Sequence, residues 1–585
     1  MIHFKFSDQD NRFLFLKPDT EEDIKNLDLL VEHINLIDPI CYLTTYTGPK
    51  YTVDYIYKYV QQSGALVYYC SIGLWQIIYK FFKEHNIPFD GLLENKFRFK
   101  NKIEHTFEEF IDIVDNWELK FKPRPYQYEA AYNILNWKNS VSQLATRAGK
   151  TLISYIIFRY AMEYMGVKNI LMIVPAIDLV KQAYNDFKEY AEFFQTECIW
   201  GGSKLVESSN LTVGTFQSLI KFLDKSSKKY NPKFFDKFDC LFVDEVHRAS
   251  AKQINTIISQ KFRYNCKISY GMTGTMPKDK SIENYAISAL LGGKIQTINP
   301  KELIDNGYIS DIFINQINLI YNEDDFIIDK YIECAEYGLS KFDLEKNKNG
   351  NYDKVKLDDP KFLIKYKKSL GEGLLLIKDK LKKEYKNRNE FIKKYIDVIN
   401  SQIKVSEGTN SLLVEKMLVH FLDKRIDFLC EKILPQCNRN TLILAHHTEY
   451  IYYFAEKVKD KFKDRHVLVI TGSVSSKKRD KIKNILKEYN DCILIASYGT
   501  MSTGLTLSNL CFGVLFESFK SEIVNMQSLG RGLGLVENKD KYIVYDIIDC
   551  FPKIINSNKI KLQGLQKIRI YNKFKYNYKK IEYKL

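Results

Sequence analysis

The sequence predicts an α/β chain built on two tandem doubly wound parallel sheets, with a small α+β domain in front and a helical insertion in the second sheet domain. Three observations carry this. First, between Pro123 and about Pro300, short apolar runs rich in β-branched residues alternate with amphipathic helical stretches; 170–174 and 240–243 have the composition of strands buried on both faces. Second, the same alternation returns between Thr441 and Ile548, in the runs 441–445, 467–470, 493–496, 513–516 and 542–545. Third, the pattern stops between the blocks: 341–358 is polar and turn-rich, and 362–399 is a lysine-dense helical stretch. Alternating strand and helix runs specify parallel sheets with helices on both faces.

Taken in order, residues 1–117 mix strand-like runs (12–16, 65–69) with a helical stretch at 74–83, and form the small α+β domain without a catalytic motif. The first sheet domain is expected over 118–310. The second is expected over 311–550, with the lysine-rich insertion at about 321–405. Residues 551–585 make a basic, aromatic tail in which Glu582 is the single acid. Two readings of the tail stand side by side. Its lysines and Tyr571, Phe574, Tyr576, Tyr578 and Tyr583 suit phosphates and base faces; alternatively a helix packs on the second domain with Leu562, Leu565 and Ile568 turned inward.

A formal net charge of +15 on 585 residues favours polyanionic partners. No segment approaches the roughly 18–20 apolar residues of a membrane span, and Met1-Ile-His-Phe-Lys lacks the layout of a secretion signal. The eleven cysteines are scattered without a CxxC pair, which argues against a disulfide framework or zinc site and for a reducing compartment. The expectation is a soluble cytoplasmic protein.

Two signatures carry chemistry. In Leu144-Ala145-Thr146-Arg147-Ala148-Gly149-Lys150-Thr151, followed by an apolar helical run, backbone N–H groups would converge at a helix N-terminus where the dipole favours anions. Gly149 lets the backbone approach ATP phosphates, Lys150 reaches the outer two, and Thr151 holds Mg²⁺. The strict pattern has glycine where Leu144 stands. The second signature, Leu241-Phe-Val-Asp244-Glu245-Val246-His247, puts two acids and a histidine just past a buried strand. Asp244 would place Mg²⁺, largely through water, and Glu245 would polarise the attacking water.

From Arg124 to about Asp549 the chain resembles the superfamily 2 helicases. The resemblance implies two RecA-like domains that sandwich ATP and grip one nucleic-acid strand. It implies that Gln127, in Pro125-Tyr126-Gln127, reads the adenine edge. Pro175, in Val174-Pro175-Ala176, and Thr215, in Val213-Gly214-Thr215, resemble first-domain contacts to the strand backbone, and Thr273-Gly274-Thr275 the motif coupling the two sites. In the second block, Thr471-Gly472 and Ser502-Thr503-Gly504 resemble the corresponding phosphate contacts, with Gly504 also near the nucleotide. Gln527-Ser-Leu-Gly530-Arg531 resembles the last motif, whose glutamine partners the box histidine, here His247. Residues 495–504, 545–549 and the tail further resemble the UvsW-type helicases of tailed phages. That implies an ATP- and Mg²⁺-dependent enzyme, monomeric, acting on single-stranded and branched DNA and on RNA–DNA hybrids in the host cytoplasm. The motor of a restriction or transcription-release system, and a nucleotide-gated clamp with weak hydrolysis, are the alternatives.

The pattern departs in one place. The last motif ends on a second arginine in the family, and Gly534 stands there. That arginine stabilises charge on the transferring phosphoryl group, and losing such a finger costs about 10³–10⁵ in turnover. Arg147 lies in the phosphate loop, where small residues are usual. It is either a cation supplied in cis that partly replaces the missing one, or it points to solvent or to an acidic neighbour.

Overall fold

The structure is a computed structural model; it describes residues 1–6, 13–37, 52–61, 63–92, 99–199, 209–248, 256–260, 265–322, 419, 423–502, 507, 509–519, 521–537, 539–551 and 559–585. The chain divides into two compact units, the first over Met1–Asn306 with Thr503–Leu505 and the second over Gly307–Ser502 and Thr506–Leu585. No described helix is long and apolar enough to cross a membrane. The insertion, apart from Tyr321 and Asn322, lies outside the described residues, as do Thr503 and Gly504.

The first unit opens with the five-stranded sheet β5-β6-β2-β1-β7, formed by β1 (Ile2–Phe6), β2 (Phe13–Pro18), β5 (Ile56–Val60), β6 (Leu66–Ser71) and β7 (Phe89–Asp90). The short β3 (Leu36–Ile37) and β4 (Thr52–Val53) pair separately. Strict alternation drives this sheet: Leu14 and Leu16 are fully buried while Phe13 and Phe15 are partly exposed. The buried face packs on Leu27, Leu30 and Ile34 of the helix Glu21–Ile34 and on Ile78, Phe81 and Phe82 of the helix Trp75–Glu84. Thr20 starts the first of these helices with a capping box closed by Asp23.

This domain is fixed to the sheet domain that follows it. Trp75 stacks on Trp137 at 5.7 Å. The Ser71 hydroxyl donates to Ala289 O at 2.5 Å and the Tyr55 hydroxyl to Ile282 O at 2.7 Å. Both acceptors lie on the helix Ile282–Leu291.

The seven-stranded sheet that follows is wholly parallel, in the order β10-β11-β9-β12-β13-β8-β14. Its strands are β8 (Asn139–Leu144), β9 (Ile170–Val174), β10 (Thr196–Ile199), β11 (Leu211–Thr215), β12 (Cys240–Asp244), β13 (Ile268–Thr273) and β14 (Lys294–Ile298). Every residue of β9, β11 and β13 is buried, as helices on both faces require.

The second unit repeats the design in the order β17-β18-β16-β19-β20-β15-β21, again all parallel. Its strands are β15 (Asp311–Ile320), β16 (Thr441–Ala445), β17 (Val467–Ile470), β18 (Ile493–Ser497), β19 (Phe512–Leu515), β20 (Lys541–Cys550) and β21 (Asn577–Lys584). Two doubly wound parallel sheets and a small N-terminal sheet domain are therefore what the sequence predicted. The strand expected at 542–545 continues to Cys550, because two buried acids that break the apolar pattern are paired. Asp546 accepts from Lys567 and Tyr571, and Asp549 from Arg425 and Tyr321.

The tail forms the packed helix of its second reading with a different face inward, and it buries three of the five rings of the first. Residues Lys559–Lys573 form a helix on the second sheet, but Leu562 and Leu565 are 56% and 50% exposed. Ile560, Gln563, Gly564, Lys567, Ile570 and Tyr571 face inward instead. A buried ion pair, Lys567 with Asp546, takes the place of an apolar contact. Gly564 allows the approach, since a Cβ there would lie 2.8 Å from Ile548 Cγ2. Tyr571, Phe574 and Tyr576 are buried and so are not offered to bases, and Tyr583 packs on Phe428 at 4.6 Å.

Candidate functional site

The carboxyl edge of the first parallel sheet gathers the predicted motifs, because in a wholly parallel sheet every strand delivers its following loop to the same edge. β8 runs into the loop 145–149, β13 ends on Thr273, β12 on Asp244, β9 on Val174 before Pro175, and β11 on Thr215. The strand order β8-β13-β12-β9-β11 sets the nucleotide motifs at one end of this row and the candidate strand contacts, Pro175 and Thr215, at the other.

The loop closes on Gly149, whose φ of +76° caps the helix Lys150–Tyr164. A Cβ at Gly149 would sit 2.2 Å from Gln127 Nε2, so glycine is required there by both backbone and space. Gln127 and Tyr126 brace the loop: Nε2 and the phenol each donate to Ala148 O at 3.0 Å, while Gln127 Oε1 accepts from Arg124 N at 2.8 Å. The residue expected to read adenine is thus 4% exposed and bonded to the phosphate loop itself. Gly149→Ala is expected to weaken nucleotide affinity by about tenfold or more, read with a fluorescent ATP analogue, since strain of this kind costs about 1–3 kcal/mol.

Two non-glycine residues at this edge hold left-handed backbone, Arg147 at φ +72° and Glu245 at φ +51°. Such conformations persist where surrounding structure enforces them and cluster at functional sites. At Glu245 the turn aims the carboxylate at three partners. Oε1 lies 3.9 Å from Lys150 Nζ, and Oε2 lies 3.3 Å from His247 Nδ1 and accepts from the Thr273 hydroxyl at 3.0 Å. The same hydroxyl is 2.8 Å from His247 Nδ1 and 3.1 Å from Thr275 O. A hydroxyl has one proton, so it cannot donate to Glu245 and Thr275 at once. Thr273 is a hub whose hydrogen bond has two destinations, a feature that no pattern in the sequence reveals.

The two acids of the box differ in charge environment. Burial alone would raise Glu245, but Lys150, His247 and Thr273 outweigh it and hold the carboxyl well below its usual range. Asp244 is pushed up to about 6 by burial and by the Glu245 charge, against a weaker pull from Lys150. Its Oδ1 accepts from Glu245 N at 3.0 Å. A half-buried carboxylate short of positive charge at the end of β12, and the Thr151 hydroxyl in the first turn of the helix Lys150–Tyr164, are oxygen donors of the kind that suits Mg²⁺.

Elsewhere the predicted contacts are partly turned inward. Pro175 and Thr215 are buried, and the Thr215 hydroxyl donates to Ser218 Oγ at 3.0 Å. In the second unit Thr471 is fully buried, its hydroxyl 3.1 Å from Tyr452 OH and 2.9 Å from Ser473 Oγ, whereas Gly472 is exposed. At this turn Gly472, not the Thr471 side chain, is the exposed residue. Gln527 is 6% exposed on the helix Glu522–Gly530, with Arg531 at its end. Beyond it, Gly534 O accepts from Ser310 Oγ and from Lys539 Nζ, each at 2.9 Å. Lys539 thus brings an ammonium to the turn that lacks the second arginine. Sequence reasoning missed it because it stands five positions past the motif.

Residues 120–278, the stretch holding the loop and box, match the family described as type III restriction enzyme, res subunit; residues 424–533 match the helicase conserved C-terminal domain. The chain is 25% identical over 494 residues to the ATP-dependent DNA helicase UvsW of Enterobacteria phage T4, covering 81% of this chain and 80% of that protein. This chain is an ATP-dependent helicase. It is similar to the UvsW enzyme of phage T4. Among solved structures, that of T4 UvsW aligns with TM-score 0.40 and 20% identity over 100% of the helicase and 99% of that chain. S. cerevisiae Dbp5 bound to RNA and ADP BeF3 aligns with TM-score 0.47 and 11% identity over 82% and 93%.

Proposed function

We propose that the helicase acts on DNA, unwinding or remodelling branched substrates (forks, junctions and R-loops) during replication, recombination or repair. The observation that carries a hydrolysing motor, as against a clamp, is the Glu245 network. A clamp has no use for a carboxylate held ionised beside Lys150 by His247 and Thr273. Lys150 would bind the outer phosphates, Thr151 and Asp244 would hold Mg²⁺, and Glu245 would orient water. The loop backbone from Ala145 to Gly149 would cradle phosphate oxygens, and the bound metal would supply the positive charge that Asp244 lacks. Gly472 and Thr503 would meet the strand through phosphate and sugar, with the buried Pro175 and Thr215 shaping the first-domain edge beneath it, and such contacts position without reading sequence. Affinity should then fall steeply with salt.

Support for DNA comes from the similarity to the phage DNA helicase and from the +15 charge. The res-subunit match favours a second reading, the motor of a restriction system. A panel of fork, four-way junction, R-loop, linear duplex and RNA duplex substrates separates these. Branched remodelling predicts ATP-dependent conversion of forks and R-loops by the chain alone, whereas a restriction motor would translocate on linear duplex without resolving them. A preference for RNA duplex would overturn the DNA reading.

Cation supply at the γ-phosphate is a separate question with a clear outcome. Arg531→Ala is expected to lower turnover about 10³-fold or more, as loss of a finger does, and Arg147→Ala to lower it further only if its guanidinium serves the same phosphate. Unchanged turnover in Arg147→Ala, beside a dead Arg531→Ala, would remove Arg147 from the chemistry.

A further inference from the structure

One face of the N-terminal sheet packs on its two helices; the other carries an aromatic cluster that the motor motifs leave unexplained. Strand register fixes its members. Tyr57 of β5 lies opposite Tyr69 of β6, and Tyr69 opposite Phe15 of β2, so the three rings share a face. Tyr59 and Phe13, two residues along their strands, join them. Tyr69 is the centre: its ring stacks on Tyr57 at 5.4 Å, meets Tyr59 and Phe13 edge-on at 5.7 Å each, and lies 6.2 Å from Phe15. Tyr57 and Tyr59 are 47% and 38% exposed.

The neighbouring positions on this face are basic. Lys5 pairs with Phe15 across the β1–β2 ladder and Lys17 with His3, and both lysines are exposed. Asp19 and Asp90 are taken up by His3 at 2.7 and 2.5 Å, and Asp54, whose backbone carbonyl accepts from the Tyr57 hydroxyl at 2.8 Å, has its carboxylate bonded by Asn35 Nδ2 at 3.2 Å. The cluster is also anchored to the motor, since Tyr55 and Ser71, at its edge, bond the helix Ile282–Leu291 that follows Thr273–Thr275 in the chain.

We propose that this face is a stacking platform for an unpaired nucleic-acid strand, with bases on Tyr57, Tyr59 and the neighbouring rings, and phosphates on Lys5 and Lys17. The proposal rests on the reading of the chain as a nucleic-acid motor. Aromatic rings beside lysines are the combination that binds single strands without regard to sequence, because every base has a π face and every linkage a charge. A duplex hides its base faces, so the platform distinguishes unpaired strand from duplex by geometry. Placed on the domain bonded to the helix Ile282–Leu291, it would hold a strand that the motor has separated.

The test uses the full chain and a labelled oligothymidylate of about 20 nucleotides, followed by anisotropy beside a duplex of equal length. Tyr57→Ala with Tyr59→Ala is expected to weaken oligothymidylate binding by about tenfold or more, since each base loses its stacking face, and to leave duplex binding within about twofold. Tyr57→Phe with Tyr59→Phe keeps the rings and should keep the affinity. Lys5→Glu with Lys17→Glu, which touches no ring, should weaken single-strand binding and flatten its salt dependence by about 1.4 in slope. Unchanged binding in both sets, equal loss for duplex, or loss of self-association in place of strand binding would overturn the platform. Absence of any DNA-stimulated ATP turnover in the unaltered chain would instead overturn the motor reading.

Discussion

Glu245→Gln is expected to lower ATP turnover by about 10²–10⁴-fold, the range for loss of a positioned general base, while nucleotide affinity stays within a few-fold. The split follows from geometry. Glutamine fills the same space and still accepts from the Thr273 hydroxyl, so the box keeps its shape. The amide carries no charge, however, and cannot polarise water beside Lys150. The carboxylate is held ionised by Lys150 and His247, so at neutral pH the wild-type group carries the negative charge that orients and polarises water, which the amide lacks. Turnover and analogue binding, measured on one preparation, check the split; equal loss of both would mean that Glu245 holds the loop rather than the water. Thr273→Val should show a milder effect on turnover, because it removes the hydroxyl that tethers Glu245 and His247 together.

Arg425→Ala is expected to destabilise the second unit by about 3–5 kcal/mol, the cost of leaving a buried charge without its partner. Arg425 is fully buried past the insertion, in the helix Asp423–Phe428. Its guanidinium donates to Asp549 Oδ1 at 2.8 Å and Oδ2 at 3.2 Å, to Tyr450 OH at 3.1 Å and to Phe516 O, and lies 3.9 Å above the Phe516 ring. Asp549 also accepts from Tyr321 at 2.6 Å. One guanidinium thus ties β19, β20, the end of β15 and the helix Thr448–Lys461 together. Removing it orphans Asp549 at 1% exposure, and domains hold only about 5–15 kcal/mol in all. Denaturant unfolding of Arg425→Ala, read beside Asp549→Asn, checks this. A loss under about 1 kcal/mol would show that water or rearrangement compensates the buried acid.

These two predictions mark what the sequence revealed and what it did not. β9, β16 and β17 stand at their expected residues because unbroken apolar runs leave a parallel sheet little choice. The phosphate loop and box were legible because their chemistry demands residue types at short spacing. The Arg425 network was not, since its members span Tyr321 to Asp549 and each looks like an ordinary polar residue in its own stretch. The tail helix misled for a related reason: its inward face carries Lys567, Gln563 and Gly564 and its outward face two leucines, so hydrophobic spacing pointed to the wrong side. Long-range pairing of buried polar groups is invisible to periodicity, and here it decides both β20 and the helix packed on it.

The central claim is that this ATP site drives a motor coupled to nucleic acid. ATP turnover by the full chain, with and without forked DNA and beside Lys150→Ala, tests it most directly. DNA should raise turnover several-fold or more and strand separation should accompany it, with both lost in Lys150→Ala. Turnover that no DNA or RNA strand changes would contradict the account.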